Sequence, residues 1–144
     1  MALQDRIKNA ATPLLEPGEV IEVATVAAVG KVSARRQIAT AAVTAILSAG
    51  TVTAVTYSPK RPVVLTNRRL LFLDANEITG RPLEKLVGVL NREGLRAQRQ
   101  RALLWLKYDL IDSTGAPVVR LSFPLPNRSA GHQIAAALGL LGTA

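Results

Sequence analysis

Val63–Asp74, VVLTNRRLLFLD, is two β-prone apolar runs separated by a short polar turn. Val63 and Leu65 are apolar on the first run, and Leu70 to Leu73 resume the pattern on the second. Thr66-Asn67-Arg68 between them carry turn chemistry, because Asn tolerates positive φ and bonds its own backbone. The stretch predicts strands over 62–66 and 69–74. Arg68 and Arg69 are expected to serve the turn itself, bonding across it or to a carboxylate such as Asp74.

Downstream, Asp74-Ala75-Asn76-Glu77 reads as a turn. Leu83 to Leu90 fits either helix or strand by periodicity. Asn91-Arg92-Glu93-Gly94 turns again and opens an Arg-rich loop over 91–101. A long strand is predicted over 103–112, with Leu104, Leu106, Tyr108 and Leu110 on one face and Trp105, Lys107 and Asp109 on the other. Ser113-Thr114-Gly115 turns that strand back as a hairpin onto Val118–Phe123, whose core face is Val119, Leu121 and Phe123. Pro124 and Pro126 end the pairing, since proline has no ladder donor. Asn127 is the expected cap of a helix over 128–141, striped by Ala130, Ile134, Leu138 and Leu141, with Gly142 at its C-terminal end.

Upstream, Leu3, Ile7, Ala10, Ala11 and Leu14 form the apolar stripe of a leader helix over 2–12. Pro13 and Pro17-Gly18 end it. A first strand runs over 19–29. From Gln37 to Pro59 no residue is charged, a stretch of 23 positions flanked by Arg35-Arg36 and Lys60-Arg61. That length permits a bilayer span, but Thr40, Thr44, Ser48, Thr51, Thr53, Thr56 and Ser58 dilute its hydrophobicity. A helix over 35–49, a break at Gly50 and a strand over 51–57 fit the pattern better. The helix carries an Ala-rich face of Ile38, Ala41, Ala42, Ala45, Ile46 and Ala49. Small residues every fourth position let another backbone come close. Packing within the chain, self-association and membrane entry compete for that face, in that order.

The order of features resembles the bacterial pleckstrin-homology-like (PH-like) family. Leu65-Thr66-Asn67-Arg68-Arg69-Leu70 between hydrophobic strands matches its signature, and Pro17-Gly18-Glu19-Val20-Ile21 resembles its entry into strand one. The resemblance covers residues 17–141 apart from the uncharged excursion. It implies a strand at 85–90. It also implies an α+β fold, an antiparallel β-sandwich or barrel of about seven strands capped by a C-terminal helix. An N-terminal leader helix (1–16) and a helix–strand insert (31–59) are added to that single domain of 144 residues.

Composition narrows the function. Hydrophobic residues make up 49%, so a buried core is expected. Lys and Arg number 18 against 10 acids, a net charge of +8, and 13 of the cations are Arg. Such a surplus favours anionic partners. There is no Cys and one His, His132, which rules out the usual zinc sets and thiolate chemistry. No nucleophile elbow, dinucleotide or phosphate-loop motif is present. No enzyme activity, cofactor or metal is expected.

Three basic clusters are candidates for anion or lipid contact: Lys31, Arg35 and Arg36; Lys60 and Arg61; and Arg92, Arg96, Arg99 and Arg101. In the family the first of these connections holds lipid head-group phosphates, but the basic pair on strand two is spaced differently here. The expectation is a non-catalytic binding or scaffold module. It self-associates through Ile38, Ala41, Ala42, Ala45, Ile46 and Ala49, and acts at an anionic phospholipid or acidic protein surface. The alternatives are membrane insertion by 37–57 and non-specific nucleic-acid binding by the Arg-rich loop. Nucleic acid ranks lower because only five residues are Phe, Trp or Tyr. Asp5, Arg6 and Lys8 break any leader-peptide core, so the expected place is cytoplasmic, at the inner face of the membrane where it is peripheral.

Overall fold

The computed structural model describes residues 2–30, 60–76 and 78–142. In order it contains α1 (Leu3–Ala11), a short 3-10 turn (Thr12–Leu14), β1 (Ile21–Gly30), β2 (Lys60–Thr66), β3 (Arg69–Ala75), β4 (Pro82–Asn91), β5 (Arg96–Gln100), β6 (Leu106–Ile111) and β7 (Pro117–Phe123). A second 3-10 turn (Leu125–Asn127), α2 (Arg128–Leu138) and β8 (Leu140–Leu141) follow. The protein is therefore α+β, with two helices among the described residues and one large mixed sheet. Strand order is β4-β3-β2-β1-β7-β6-β5-β8, antiparallel except for β5 with β8.

The sheet is two meanders joined through one strand. β1 to β4 pair in succession, β5 to β7 do likewise, and the last residues of β1 cross to pair with β7 at Ala28↔Ser122 and Gly30↔Arg120. Inward residues of both meanders share one core. Val63, Leu65, Leu70 and Phe72 from the first meet Tyr108, Leu110, Val119, Leu121 and Phe123 from the second. Helix α2 adds Ala130, Ile134, Ala135 and Leu138 to that core. Gly131 lets the helix lie close, because a Cβ there would stand 2.6 Å from Phe123 Cδ2.

The continuous apolar runs of β2 and β3 have a cause. Their inner face lines the main core, and their outer face lies under α1. Ile7, Ala10 and Ala11 are buried against Ala24, Val64, Leu71 and Leu73. The leader stripe is thus a docking face from Ile7 to Leu14, while Leu3 at its start is exposed, and burying a side chain such as Ile7 is worth about 2 kcal/mol.

The β6–β7 hairpin forms around the expected turn, where Gly115 has φ +86°. Asp112 Oδ1 accepts from Thr114 N, Thr114 Oγ1 and Ala116 N. The hydroxyl bond from Thr114, with those backbone bonds, holds the Asp112 carboxyl below its usual range.

Four expectations change. Residues 96–100, expected as loop, are strand β5, paired with β6 from Arg96↔Ile111 to Gln100↔Lys107. Only Ala97 of that strand is buried, so no apolar alternation marks it. The following strand begins at Leu106 rather than Leu103, and Leu104 is exposed rather than on the core face. Helix α2 ends at Leu138, because Gly139 at φ +104° turns the chain into β8, and Leu141 is exposed. Asn127 makes no side-chain cap, and its Nδ2 donates to Thr25 Oγ1 at 2.9 Å. The expected helix at 35–49, the strand at 51–57 and the self-association face at Ile38, Ala41, Ala42, Ala45, Ile46 and Ala49 lie outside the described residues. Among the described residues no helix is long and apolar enough to cross a membrane.

Candidate binding surface

The signature turn is a structural clamp. Asn67 Oδ1 accepts from Val20 N at 2.8 Å, Asn67 Nδ2 donates to Gly18 O, and Asn67 N donates to Val20 O. Thr66 Oγ1 accepts from the backbone N–H groups of Arg68 and Arg69 and donates to Glu19 Oε2 at 2.6 Å. Arg69 grips Glu19 with two bonds, Nε to Oε2 at 2.9 Å and Nη2 to Oε1 at 2.6 Å. The Arg69 bond, assisted by Thr66 and the Glu16 N–H, holds the Glu19 carboxyl down at about 2 despite its burial. The partner of Arg69 is therefore Glu19 rather than Asp74. The two motifs that carried the family resemblance are one constellation, and its task is to fix the entry of β1.

Several sequence-predicted cations are likewise occupied inside the fold. Arg61 is only 3% exposed and pairs with Asp74 at 3.5 Å, with burial pulling its pKa down. It is held away from any surface ligand. Arg92 pairs with Glu22 at 2.9 Å and donates to Thr66 O and Ala137 O. Arg96 donates to Leu95 O and Leu138 O. These two arginines satisfy carbonyls at the C-terminal end of α2, where the helix dipole favours positive charge. A hollow of about 660 Å³ lies here, lined by Arg68, Arg92, Arg96 and Glu93 among others. Two of its three arginines are spent, Arg92 on Glu22, Thr66 O and Ala137 O and Arg96 on Leu95 O and Leu138 O, and Glu93 stands on its wall, so it is a poor seat for an anion.

The second surface lies around the β5–β6 connection. Leu103 is 102% exposed and Leu104 70%, while Trp105 is half-buried. The loop arches between two hollows. One, of about 640 Å³, has Arg99, Arg101 and Arg128 on its wall. The other, of about 800 Å³, has Lys60, Lys107, Ala28 and Ser122 on its wall. Residues Ala102 to Trp105 line both, and among the described residues no carboxylate lines either. Lys60 Nζ stands 5.3 Å above the centre of the Trp105 ring, a cation–π contact.

Five cations thus converge on three apolar side chains. Lys60, Arg99 and Arg101 were candidates from sequence. Lys107 and Arg128 were not, because they join the cluster only through the β6–β7 register and the placement of α2. Leu103 and Leu104 carried no functional signal, being expected in a half-buried strand. Lys31, Arg35 and Arg36 lie outside the described residues.

Tyr108 OH and His132 Nδ1 are 3.0 Å apart, which occupies the sole histidine in a contact between sheet and helix. Among the described residues no three His, Asp or Glu gather as a metal site. No protein-family model matches the chain, and no curated protein is significantly similar to it.

Proposed function

We propose that the chain is a non-catalytic PH-like binding module that docks on an acidic surface through the β5–β6 connection. The observation that carries this reading is the convergence of Lys60, Arg99, Arg101, Lys107 and Arg128 on one patch with no acid among the described residues of its walls. A patch of one sign attracts oppositely charged partners and raises their encounter rate. The PH-like assignment is supported by the four-strand meander, the three-strand meander and the C-terminal helix that contributes to their common core. The non-catalytic assignment is supported by the use of the titratable groups. Glu19, Glu22, Asp74 and Asp109 are paired with arginines, and His132 with Tyr108.

The test is retention on an acidic support with rising salt. The wild-type chain binds at low ionic strength and is released by about 0.5 M salt, where screening shortens the reach of surface charge. Arg99→Gln with Arg101→Gln elutes earlier, while Arg6→Gln with Lys8→Gln on α1 elutes with wild type. Equal elution of both double variants would remove the patch from the reading.

A further inference from the structure

We infer that the hollow between Lys60 and Lys107 is a site for a small aromatic carboxylate, which lays its ring on the sheet and its carboxylate between the two ammonium groups. This goes beyond the acidic-surface reading: it draws on two of the same cations but stands on the recess between them. Lys107 faces Ser122, Ser122 faces Ala28, and Ala28 faces Lys60. Residues directly opposite in antiparallel strands share a face, so the four side chains rise together on the side of the sheet away from Tyr108 and Leu121. The two in the middle are small and the two at the ends are long. The row is therefore a trough about 14 Å from end to end, three strand spacings, with a charge at each end. Leu103, Leu104 and Trp105 stand along its side, and the hollow measures about 800 Å³.

The donors of the trough are unspent. Among the described residues neither lysine has a carboxylate partner, and the Ser122 hydroxyl makes no hydrogen bond. Three donors thus converge on a recess that is otherwise apolar, and its volume falls within the roughly 300–1,000 Å³ of small-ligand sites. The donor type selects the anion. Lysine offers a compact point charge that suits a carboxylate, whereas phosphate is held best by the planar fork of arginine. The arginines of the patch, Arg99, Arg101 and Arg128, line the neighbouring hollow instead. The shape selects the body. Ala28 and Ser122 floor a flat strip two strands wide, on which a planar ring lies with its edge toward Trp105. A rigid ring also loses less freedom on binding than a flexible chain. Ala28 is 6% exposed at the bottom and Leu103 102% at the rim, so a broad partner meets the rim before the floor.

The experiment titrates phenylacetate into the full chain at low ionic strength. Binding is read by calorimetry, and the contact by the indole N–H resonance of Trp105, the sole tryptophan. The titration saturates at one ligand per chain, and the indole resonance moves with it. Acetate has the charge without the ring, and phenylacetamide has the ring without the charge. Each binds at least tenfold more weakly, the second because it forgoes a charge-assisted bond.

Lys60→Gln with Lys107→Gln weakens phenylacetate binding at least tenfold, and Ser122→Ala weakens it about fivefold, both with unchanged circular dichroism. Arg6→Gln with Lys8→Gln on α1 leaves it as in wild type. Equal affinity for either control ligand would overturn the inference, as would a Lys double variant that binds as wild type. Saturation by calorimetry with a stationary indole resonance would put the ligand elsewhere and overturn it too. No phenylacetate binding by a chain that an acidic support still retains and salt releases would overturn the site and leave the acidic-surface reading standing. A chain that binds neither would overturn both.

Discussion

Replacing Glu19 with Gln tests whether the signature turn stabilises the fold through an ionised carboxylate. The Glu19 side chain is fully buried, and the carboxyl accepts from Arg69 Nε, Arg69 Nη2, Thr66 Oγ1 and Glu16 N. These bonds lower its pKa from 4.5 to about 2. At about 1.4 kcal/mol per tenfold, that fall corresponds to about 3 kcal/mol in favour of the folded state at neutral pH. The sign follows from the direction. A carboxyl depressed on folding contributes fully above its unfolded value of 4.5, and the contribution fades as pH falls toward 2. By the same linkage less than half of it survives at pH 3.

Gln keeps the shape and one acceptor, but it leaves the Arg69 guanidinium with only the half-exposed Glu16 at 3.4 Å as a charged partner. The expected loss is about 2–3 kcal/mol at pH 7, at the lower end for a broken buried pair because Arg69 keeps some solvent contact. Urea unfolding of wild type and Glu19→Gln at pH 7 and pH 3 measures it. Other carboxylates titrate in both proteins, so the gap between the two curves isolates Glu19. The gap should at least halve at pH 3. A gap below 0.5 kcal/mol at pH 7, or one that does not change with pH, would refute the reasoning.

Further outcomes follow from the same geometry. Gly131→Ala should cost about 1 kcal/mol, as crowding against Phe123 at 2.6 Å outweighs the gain of about 1 kcal/mol in helix propensity. A stabilised variant in thermal unfolding would contradict that close approach. Arg92→Lys should cost about 1–2 kcal/mol and speed amide exchange in the last turn of α2, because an ammonium cannot span Thr66 O, Ala137 O and Glu22 together. Unchanged exchange would dismiss Arg92 as a helix cap. For the self-association expected of residues 37–57, Ala41→Leu with Ala45→Leu should lower the mass seen by light scattering while leaving the circular dichroism unchanged. A wild-type chain that is a monomer at tens of micromolar would end that idea.

What the sequence made legible depended on how each residue's reason is distributed. The β2 and β3 runs could be read because both their faces are apolar, and the turn between them because Thr66 and Asn67 act locally. The Glu19–Arg69 pair could not be located from sequence. Its partners are fifty positions apart, and nothing in the spacing distinguishes Glu19 from Glu16 or Asp74 as the acceptor. Strand β5 was missed because its pairing with β6 imposes extended backbone on Arg-Ala-Gln-Arg-Gln, where intrinsic preference is weak. The opposite error befell Leu103 and Leu104. Their chemistry fits a strand, and the chain places them past the end of one.

Those two misreadings together explain why the binding patch was only half visible. With 13 arginines, composition alone points everywhere on the surface at once. Folding sorts them. Arg61, Arg69, Arg92 and Arg120 take carboxylates from Asp74, Glu19, Glu22 and Asp109, and Arg96 takes the carbonyls of Leu95 and Leu138. Each of the four carboxylate pairings withdraws an acid as well as a base from the field seen by a partner. The surplus of +8 therefore rests on the cations left over. Where those gather is decided by strand register rather than by adjacency in sequence. Lys107 faces Ser122 across β6 and β7, Ser122 faces Ala28, and Ala28 faces Lys60, so one row across four strands joins Lys107 and Lys60 beside Trp105. A shift of one residue in the β6–β7 register would turn Lys107 into the core and Tyr108 out of it. The burial of Tyr108, Leu110, Leu121 and Phe123 thus fixes the position of a surface charge, and the apolar core of this chain determines the electrostatics of its outer face.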